Sequence, residues 1–258
     1  MLVLAIETAT EAAGVSIADE DGVLGSVAFG RGRRHTEVLA PSVRFVCDTA
    51  RTAMDQLGAV AVDIGPGLFT GLRVGVSTAR ALGYALGVPI VTATSLEVLA
   101  REAVALPQVQ FRPGSVLAVV DVKRGEVAWQ RFVQDGDGAT PWLEEAERLA
   151  PPGVLVEELA SAPAGSGRCL LVGDGAARYA ELFASLPNVV LGSGAVASPS
   201  ASVLARLGVE RALAGEVAQP RSVLPRYLRE ADVRIHWETR PHSPAVAVPR
   251  PAAGGSSG

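Results

Sequence analysis

The chain opens on an unbroken apolar run, LVLAI at residues 2–6, that ends on an acid, Glu7. TATEAAG follows, then GVSIA, the sharp turn DEDG, and VLGSVAF. Short apolar runs separated by tight turns predict three strands in an antiparallel meander. The period then changes. Leu39, Val43, Val46, Ala50, Met54 and Leu57 recur at steps of three and four, which predicts an amphipathic helix of about six turns, with Pro41 tolerated near its start. A strand at 59–64, a Gly-rich turn, a helix from near Thr70 to about Leu86, the strand PIVTA and the helix SLEVLAREAV complete the first part, with Ser95 as the expected N-cap.

Near residue 115 the pattern restarts. SVLAVVDVKRGEVAWQRFV reads as strand, turn, strand, and VLAVVD runs into Asp121 much as VLAIET runs into Glu7. Two halves that each open on a hairpin predict a duplicated βββαβα-type unit. In the second half PWLEEAERLA reads as helical, and PPG, SAPAGSG and SGAVASPSA read as loops. CLLVGDGA reads as a buried strand and turn, ARYAELFASL as a short helix, and SVLARLGVERALAG as the last helix. Beyond His236 periodicity is lost, and SPAVAVPRPAAGGSSG reads as a disordered tail. The expected division is 1–104, 105–232 and a tail at 233–258, with the last helix (199–215) able to pack back on the first part.

Composition narrows the function class. With 258 residues, 48% apolar and 19% charged, the chain can bury a large core. A net charge of −4 excludes a whole-chain basic footprint for nucleic acid. Lys123 is the single lysine, and arginine supplies the other cations. Cys47 and Cys169 suit core positions better than a disulfide or a thiol catalyst. The apolar start lacks a basic n-region and is broken by Glu7, so it reads as a strand rather than a signal peptide. No run reaches membrane-spanning length. A cytoplasmic protein without a membrane partner is expected.

The densest chemical signal is GPGLFTGLRVG, residues 65–75. It is not a P-loop, because the closing Lys-Ser/Thr pair is missing and Arg73 follows Gly71-Leu72. Gly67, Gly71, Gly75, Ala79 and Gly83 recur every four residues, so in a helix starting near Thr70 most of them share a face. Each glycine costs such a helix about 1 kcal/mol relative to Ala. The return expected is close approach of a helix, in the same chain or a partner. The turn itself could also contact an anion. Ser77 lies inside the predicted helix, which argues against a hydrolase elbow at GVSTA. His35, His236 and His242 lack the spacing of a metal site, and His35 reads as an exposed residue at a helix start. Glu7 and Asp121 end equivalent strands. They either cap turns or face each other across a cleft that could hold a hydrated magnesium and phosphates. Arg31, Arg33 and Arg34, without interleaved aromatics, read either as a solvated loop or as a contact for RNA, a nucleotide or an acidic partner.

LAIETATEAAGVSI, RRHTEVLAP, GPGLFTGLRVGVSTARALGYALGVPIV, TSLEVLA, DVKRGEV and PRYLR at 225–229 together resemble the bacterial TsaB (YeaZ) family, over residues 2 to about 232. The resemblance implies an α/β fold of the actin/Hsp70-like (ribonuclease H-like) type: two related subdomains, each a mixed β-sheet flanked by helices. It implies an accessory, non-catalytic subunit in making threonylcarbamoyladenosine in tRNAs that read ANN codons. The implied partners are a metal-bearing TsaD-type transferase paralog, a TsaE-type P-loop ATPase, a second copy of the chain, and tRNA through the complex. ATP and metal would be used by those partners, with no cofactor bound by this chain alone. The paralog's H-x-x-x-H metal pair is reduced here to His35, with Leu39 four residues on. A phosphate loop of the pattern D-x-G-T/S is replaced by Glu7-Thr8-Ala9-Thr10, which lacks the glycine. The expected partner face comprises His35, Leu39, Val43, Val46, Gly71, Gly75, Ala79 and Gly83. A nucleotide contact, if made, would fall on Glu7, Thr8, Thr10, Gly67, Thr70, Arg73 and Asp121. The alternative is a stand-alone ATPase or glycoprotease-like hydrolase using the cleft.

Overall fold

Strand alternation decides the first half. In β1 (Leu2–Glu7), Leu4 and Ile6 point to one face while Val3 and Ala5 point to the other, and both faces are buried. The computed structural model describes residues 1–30, 35–105, 114–134, 141–143, 145–163 and 167–228. Arg31, Arg33, Arg34, His236, His242 and the tail at 233–258 lie outside the described residues. After β1 come β2 (Ala13–Asp19), β3 (Gly22–Phe29), α1 (His35–Thr49), β4 (Leu57–Asp63), α2 (Phe69–Leu86) and β5 (Ile90–Ala93). They form a five-stranded sheet in the order β3-β2-β1-β4-β5. The meander β1–β2–β3 is antiparallel, whereas β1, β4 and β5 run parallel.

The second half repeats this order. α3 (Ser95–Ala105) leads to β6 (Ser115–Lys123), β7 (Glu126–Gln134), β8 (Pro141–Leu143), β9 (Arg148–Ala150), α4 (Pro152–Ala160), β10 (Cys169–Val172), α5 (Asp174–Arg178), α6 (Ala180–Phe183), β11 (Val189–Leu191) and α7 (Ala201–Leu213). The sheet reads β11-β10-β6-β7-β8, with β9 also paired to β7. Thus β6 and β7 take the places of β1 and β2, and β10 and β11 those of β4 and β5, again parallel to the first strand. Two mixed sheets with one connectivity are the duplicated actin/Hsp70-like α/β fold. Both sheets belong to one unit, Met1–Leu228.

The layers follow from which face each side chain takes. Leu4, Ile6, Val15 and Ile17 pack under α1 and α2. On the reverse face, Val3, Ala5, Ala59 and Ala61 meet α7 through Leu204 and Leu207. α3 joins the sheets, with Val98 in that second cluster and Leu96 and Leu99 against Val116, Ala118 and Val120 of β6. The outer face of the second sheet, with Leu117, Val119 and Trp129, is covered by Leu155, Leu159 and Phe183. Cys47 and Cys169 are both buried and form no disulfide with each other. Among the described residues no helix is long and apolar enough to cross a membrane.

Four local readings need correction. The six-turn helix stops at Thr49, and Arg51 adopts φ 53. Met54 sits in a 3-10 turn and Leu57 on β4, yet both reach the core that α1 covers. Common burial, not a continuing helix, produced their spacing. PWLEEAERLA contributes two strands, because the open edge of β7 takes up both β8 and β9 as backbone partners. PPG begins a helix, with Pro152 at a first-turn position where no intrahelical donor is needed. The capping oxygen of α3 is Thr94 Oγ1, which accepts from the Glu97 N–H at 3.1 Å. Ser95 instead donates to Asp63.

Candidate functional site

The site is built where β1 and β4 end side by side. Glu7 turns its Oε1 back to accept the Ala9 N–H at 2.7 Å. Asp63, closing β4, accepts the Gly65 N–H at 2.7 Å and the Ser95 hydroxyl at 2.8 Å, both on Oδ1. Both carboxyls are essentially inaccessible to solvent. Glu7 Oε2 and Asp63 Oδ2 find no hydrogen-bond donor, and a proton held between the two carboxyls would supply one. Burial raises the pKa of each, and the like charge of Asp63 pushes Glu7 up further.

The glycines close over the next residue. Thr8, fully buried, donates its hydroxyl to the Gly71 carbonyl at 2.8 Å. A Cβ on Gly71 would lie 2.1 Å from Thr8 O, and one on Gly75 2.2 Å from Thr8 Oγ1. On Gly67 it would lie 2.2 Å from Ala9 O, which also accepts the Leu68 N–H at 2.6 Å. α2 is therefore pressed against the loop that follows β1, and the stripe meets that turn, its backbone at Gly67 and Gly71 and the Thr8 side chain at Gly75, rather than a second helix. Gly83 meets Pro220 and Ile90. The expected partner face is corrected in the same way. His35, Leu39, Val43, Val46, Gly71, Gly75, Ala79 and Gly83 are all buried within the chain, on the sides of α1 and α2 that the sheet and its loops cover.

His35 is not the exposed residue its position suggested. Its Nε2 lies 3.0 Å from Thr10 O and 3.3 Å from Ala12 O. Both oxygens only accept, so this nitrogen carries the proton. It pins the loop against α1 and leaves the Thr10 hydroxyl to accept from the Ala12 N–H.

The second half repeats the acid pair with different neutralisation. Asp121 at the turn of β6 accepts the Lys123 N–H at 2.9 Å, just as Glu7 accepts the second N–H after it. Asp174, opening α5 after β10, accepts the Asp121 N–H at 2.9 Å. Here cations do what a proton does in the first half. Lys123 Nζ is 3.0 Å and Arg178 Nη1 3.3 Å from Asp121 Oδ2. Lys123 also reaches Glu11 of the first half at 3.3 Å. Burial raises the Asp174 carboxyl to about 6.

These donors do not fit a hydrated magnesium with nucleotide phosphates. The oxygens of Glu7 are committed to Ala9 and Asp63, and those of Asp121 to Lys123 and Arg178. Thr8 and Thr10 face the interior, and Gly67 is sealed by Ala9. Thr70 and Arg73 lie on the exposed side of α2 instead. Asp63, Ser95 and Asp174 were missed by the sequence reading. The signal was present, since β4 and β10 also run apolar into an acid, as AVAVD and CLLVGD.

A second feature lies between α1 and α2. A groove of about 400 Å³ is lined by Ala40, Val43, Arg44, Cys47, Thr78 and Leu82.

The family model described as TsaD, tRNA N6-adenosine threonylcarbamoyltransferase, matches residues 4–237. The chain is 29% identical to the tRNA threonylcarbamoyladenosine biosynthesis protein TsaB of Escherichia coli (strain K12), over 93% of this chain and 99% of that protein. It is 35% identical to an uncharacterized protein of Mycobacterium tuberculosis, over 90% and 93%. The solved structure of YeaZ from Pseudomonas aeruginosa superposes with a TM-score of 0.74 at 28% identity, covering 88% of this chain and 99% of that one.

Proposed function

The chain belongs to the family that the TsaD, tRNA N6-adenosine threonylcarbamoyltransferase, description covers, and within it to the TsaB/YeaZ proteins, and from that premise we propose that it serves tRNA threonylcarbamoyladenosine biosynthesis as an accessory subunit of a TsaD-type transferase. The observation that carries the accessory reading is the closure over Thr8. Where an actin-like enzyme needs a glycine so that phosphate can approach the first loop, this chain packs its own α2, with Thr8 bonded to Gly71. The acid pairs on either side are already satisfied, one by a proton and one by cations.

A subunit of this kind acts through its surface. The α1–α2 groove offers small and apolar side chains (Ala40 and Leu82) beside the polar Arg44 and Asp48 of α1. We assign this groove to a helix of the transferase or, in its absence, of a second copy of the chain. A TsaE-type ATPase and tRNA would join through that assembly. The older peptidase reading has less to rest on. Among the described residues His35 is the one histidine, and it is spent on the Thr10 and Ala12 carbonyls.

The test is reconstitution. The transferase, the ATPase, a carbamoyl-adenylate source, tRNA, threonine and ATP are combined with and without the chain. Modified adenosine is expected only with it, and Ala40→Arg is expected to abolish both product and co-elution with the transferase. Equal product without the chain, or ATP or peptide turnover by the chain alone, overturns the proposal.

A further inference from the structure

Two stretches of this acidic chain carry arginine and no carboxylate. Residues 64–96 hold Arg73 and Arg80, residues 217–228 hold Arg221 and Arg226, and neither contains an Asp or Glu. They are far apart in sequence, and the fold lays one on the other. Ile90 bridges Ala218, Pro220 packs on Gly83, and the Arg226 N–H donates to the Ile64 carbonyl at 2.7 Å. Where they meet, Phe69 and Tyr227 rings lie 5.1 Å apart, the Arg73 guanidinium sits 4.0 Å above the Phe69 ring, and Arg73 Nε donates to the Tyr227 hydroxyl at 3.1 Å. This stack stands in solvent, with Phe69 46% and Tyr227 40% exposed and Leu224, three residues before Tyr227, at 65%. Glu147 reaches the patch from elsewhere, and Arg226 neutralises it at 2.9 Å.

We propose that this flank of α2, with the 217–228 segment, binds a single-stranded segment of RNA. Exposed aromatic rings and a guanidinium plane offer faces on which unpaired bases stack, while Arg80 and Arg221 supply charge for phosphates. An acidic peptide would be served by the arginines without the ring stack, and a duplex has no unstacked base to give. The chain's own composition hides the patch, because its net charge is −4. At 100° per residue, Phe69, Arg73, Arg80 and Tyr84 fall within about 60° of arc. Thr78 and Leu82, which line the groove against α1, project from the opposite edge of α2. RNA and transferase therefore use separate flanks of one helix. The inference rests on the tRNA-modifying role only for the choice of RNA as the strand.

The test is fluorescence anisotropy of the full chain with a labelled single-stranded RNA of about 12 nucleotides, across a salt series, beside a duplex of the same sequence. The unaltered chain is expected to prefer the single strand. Phe69→Leu, which keeps apolar contact but removes the ring face, and Tyr227→Ala are each expected to weaken binding about 5- to 100-fold without changing the salt slope. Arg80→Gln and Arg221→Gln are each expected to lower the slope of log K against log salt by about 0.7. Transferase co-elution, measured in parallel, should survive all four substitutions. Equal affinity for duplex, no binding at low salt, or binding untouched by the substitutions overturns the proposal. Loss of the transferase with RNA binding retained also overturns it, assigning the patch to protein contact. Failure of the Ala40→Arg test alone leaves these readouts unaffected, so the two proposals fail separately.

Discussion

The two halves share a strand order and a carboxyl at the end of each first strand, yet they hold those carboxyls by opposite means. In the first, Glu7 and Asp63 are sealed from solvent, and burial holds both carboxyls above their ordinary pKa. In the second, Asp121 is covered by Lys123 and Arg178, both partly exposed, and linked through Lys123 to Glu11. The difference teaches that topology fixes where the acids stand, while the next layer of packing fixes their chemistry. A helix pressed on the loop excludes water and forces neutrality by protonation. A turn left open admits side-chain cations.

The comparison breaks most severely at the seal. Gly71→Ala places a methyl against a backbone oxygen that cannot rotate away, so a loss of about 3 kcal/mol is expected in urea unfolding. Ser77→Ala, on the exposed side of the same helix, should change little. Next, Glu7→Ala removes one member of the proton-sharing pair and leaves Asp63 Oδ2 buried without a partner, at a cost of about 2–4 kcal/mol. Glu7→Gln separates volume from protonation. Its amide accepts from Ala9 and donates to Asp63 without a titrating proton, so stability near pH 8 should stay within about 1 kcal/mol of the parent or rise.

The sign of the pH effect follows from the raised pKa. Above the ordinary carboxylate range the folded pair keeps a proton that the unfolded chain has released, so stability falls as pH rises. Glu7→Gln should flatten that decline, and an unchanged pH profile would refute the shared proton.

In the second half effects should be smaller. Lys123→Ala removes the exposed bridge to Glu11 and one of the two cations on the buried Asp121 carboxylate, leaving Arg178 to hold it, so about 1–2 kcal/mol is expected, shrinking in high salt. An effect as large as that of Glu7→Ala would mean that the cations seal the second half as tightly as α2 seals the first. The least effect belongs to Asp174→Asn. Asp174 titrates near 6, so its contribution declines between about pH 4 and 6. Asn keeps the acceptor for the Asp121 N–H, and a gain in Tm of about 1–3 °C at pH 8 with none at pH 4 is expected in thermal melts.

Much of this was legible in the chain. Apolar runs located β1, β4, β6 and β10, those of β1 and β6 by the acid that ends them, and the restart near residue 115 announced the duplication. Local pattern suffices there because strand alternation and turn chemistry are short-range. Where it failed, a distant partner had decided the outcome. β8 and β9 formed because β7 had an open edge. His35 was buried because the Thr10 and Ala12 carbonyls needed a donor.

The glycine stripe divides the two kinds of knowledge most cleanly. The sequence by itself determined that one face of α2 must lie against something without side chains in the way, since four-residue spacing and the cost of glycine in a helix are local facts. Only the tertiary structure decided that the neighbour is Thr8 and Ala9 of the same chain, and that Arg73 on the far flank meets Tyr227. Both depend on contacts across scores of residues, which the local periodicity of a chain does not carry.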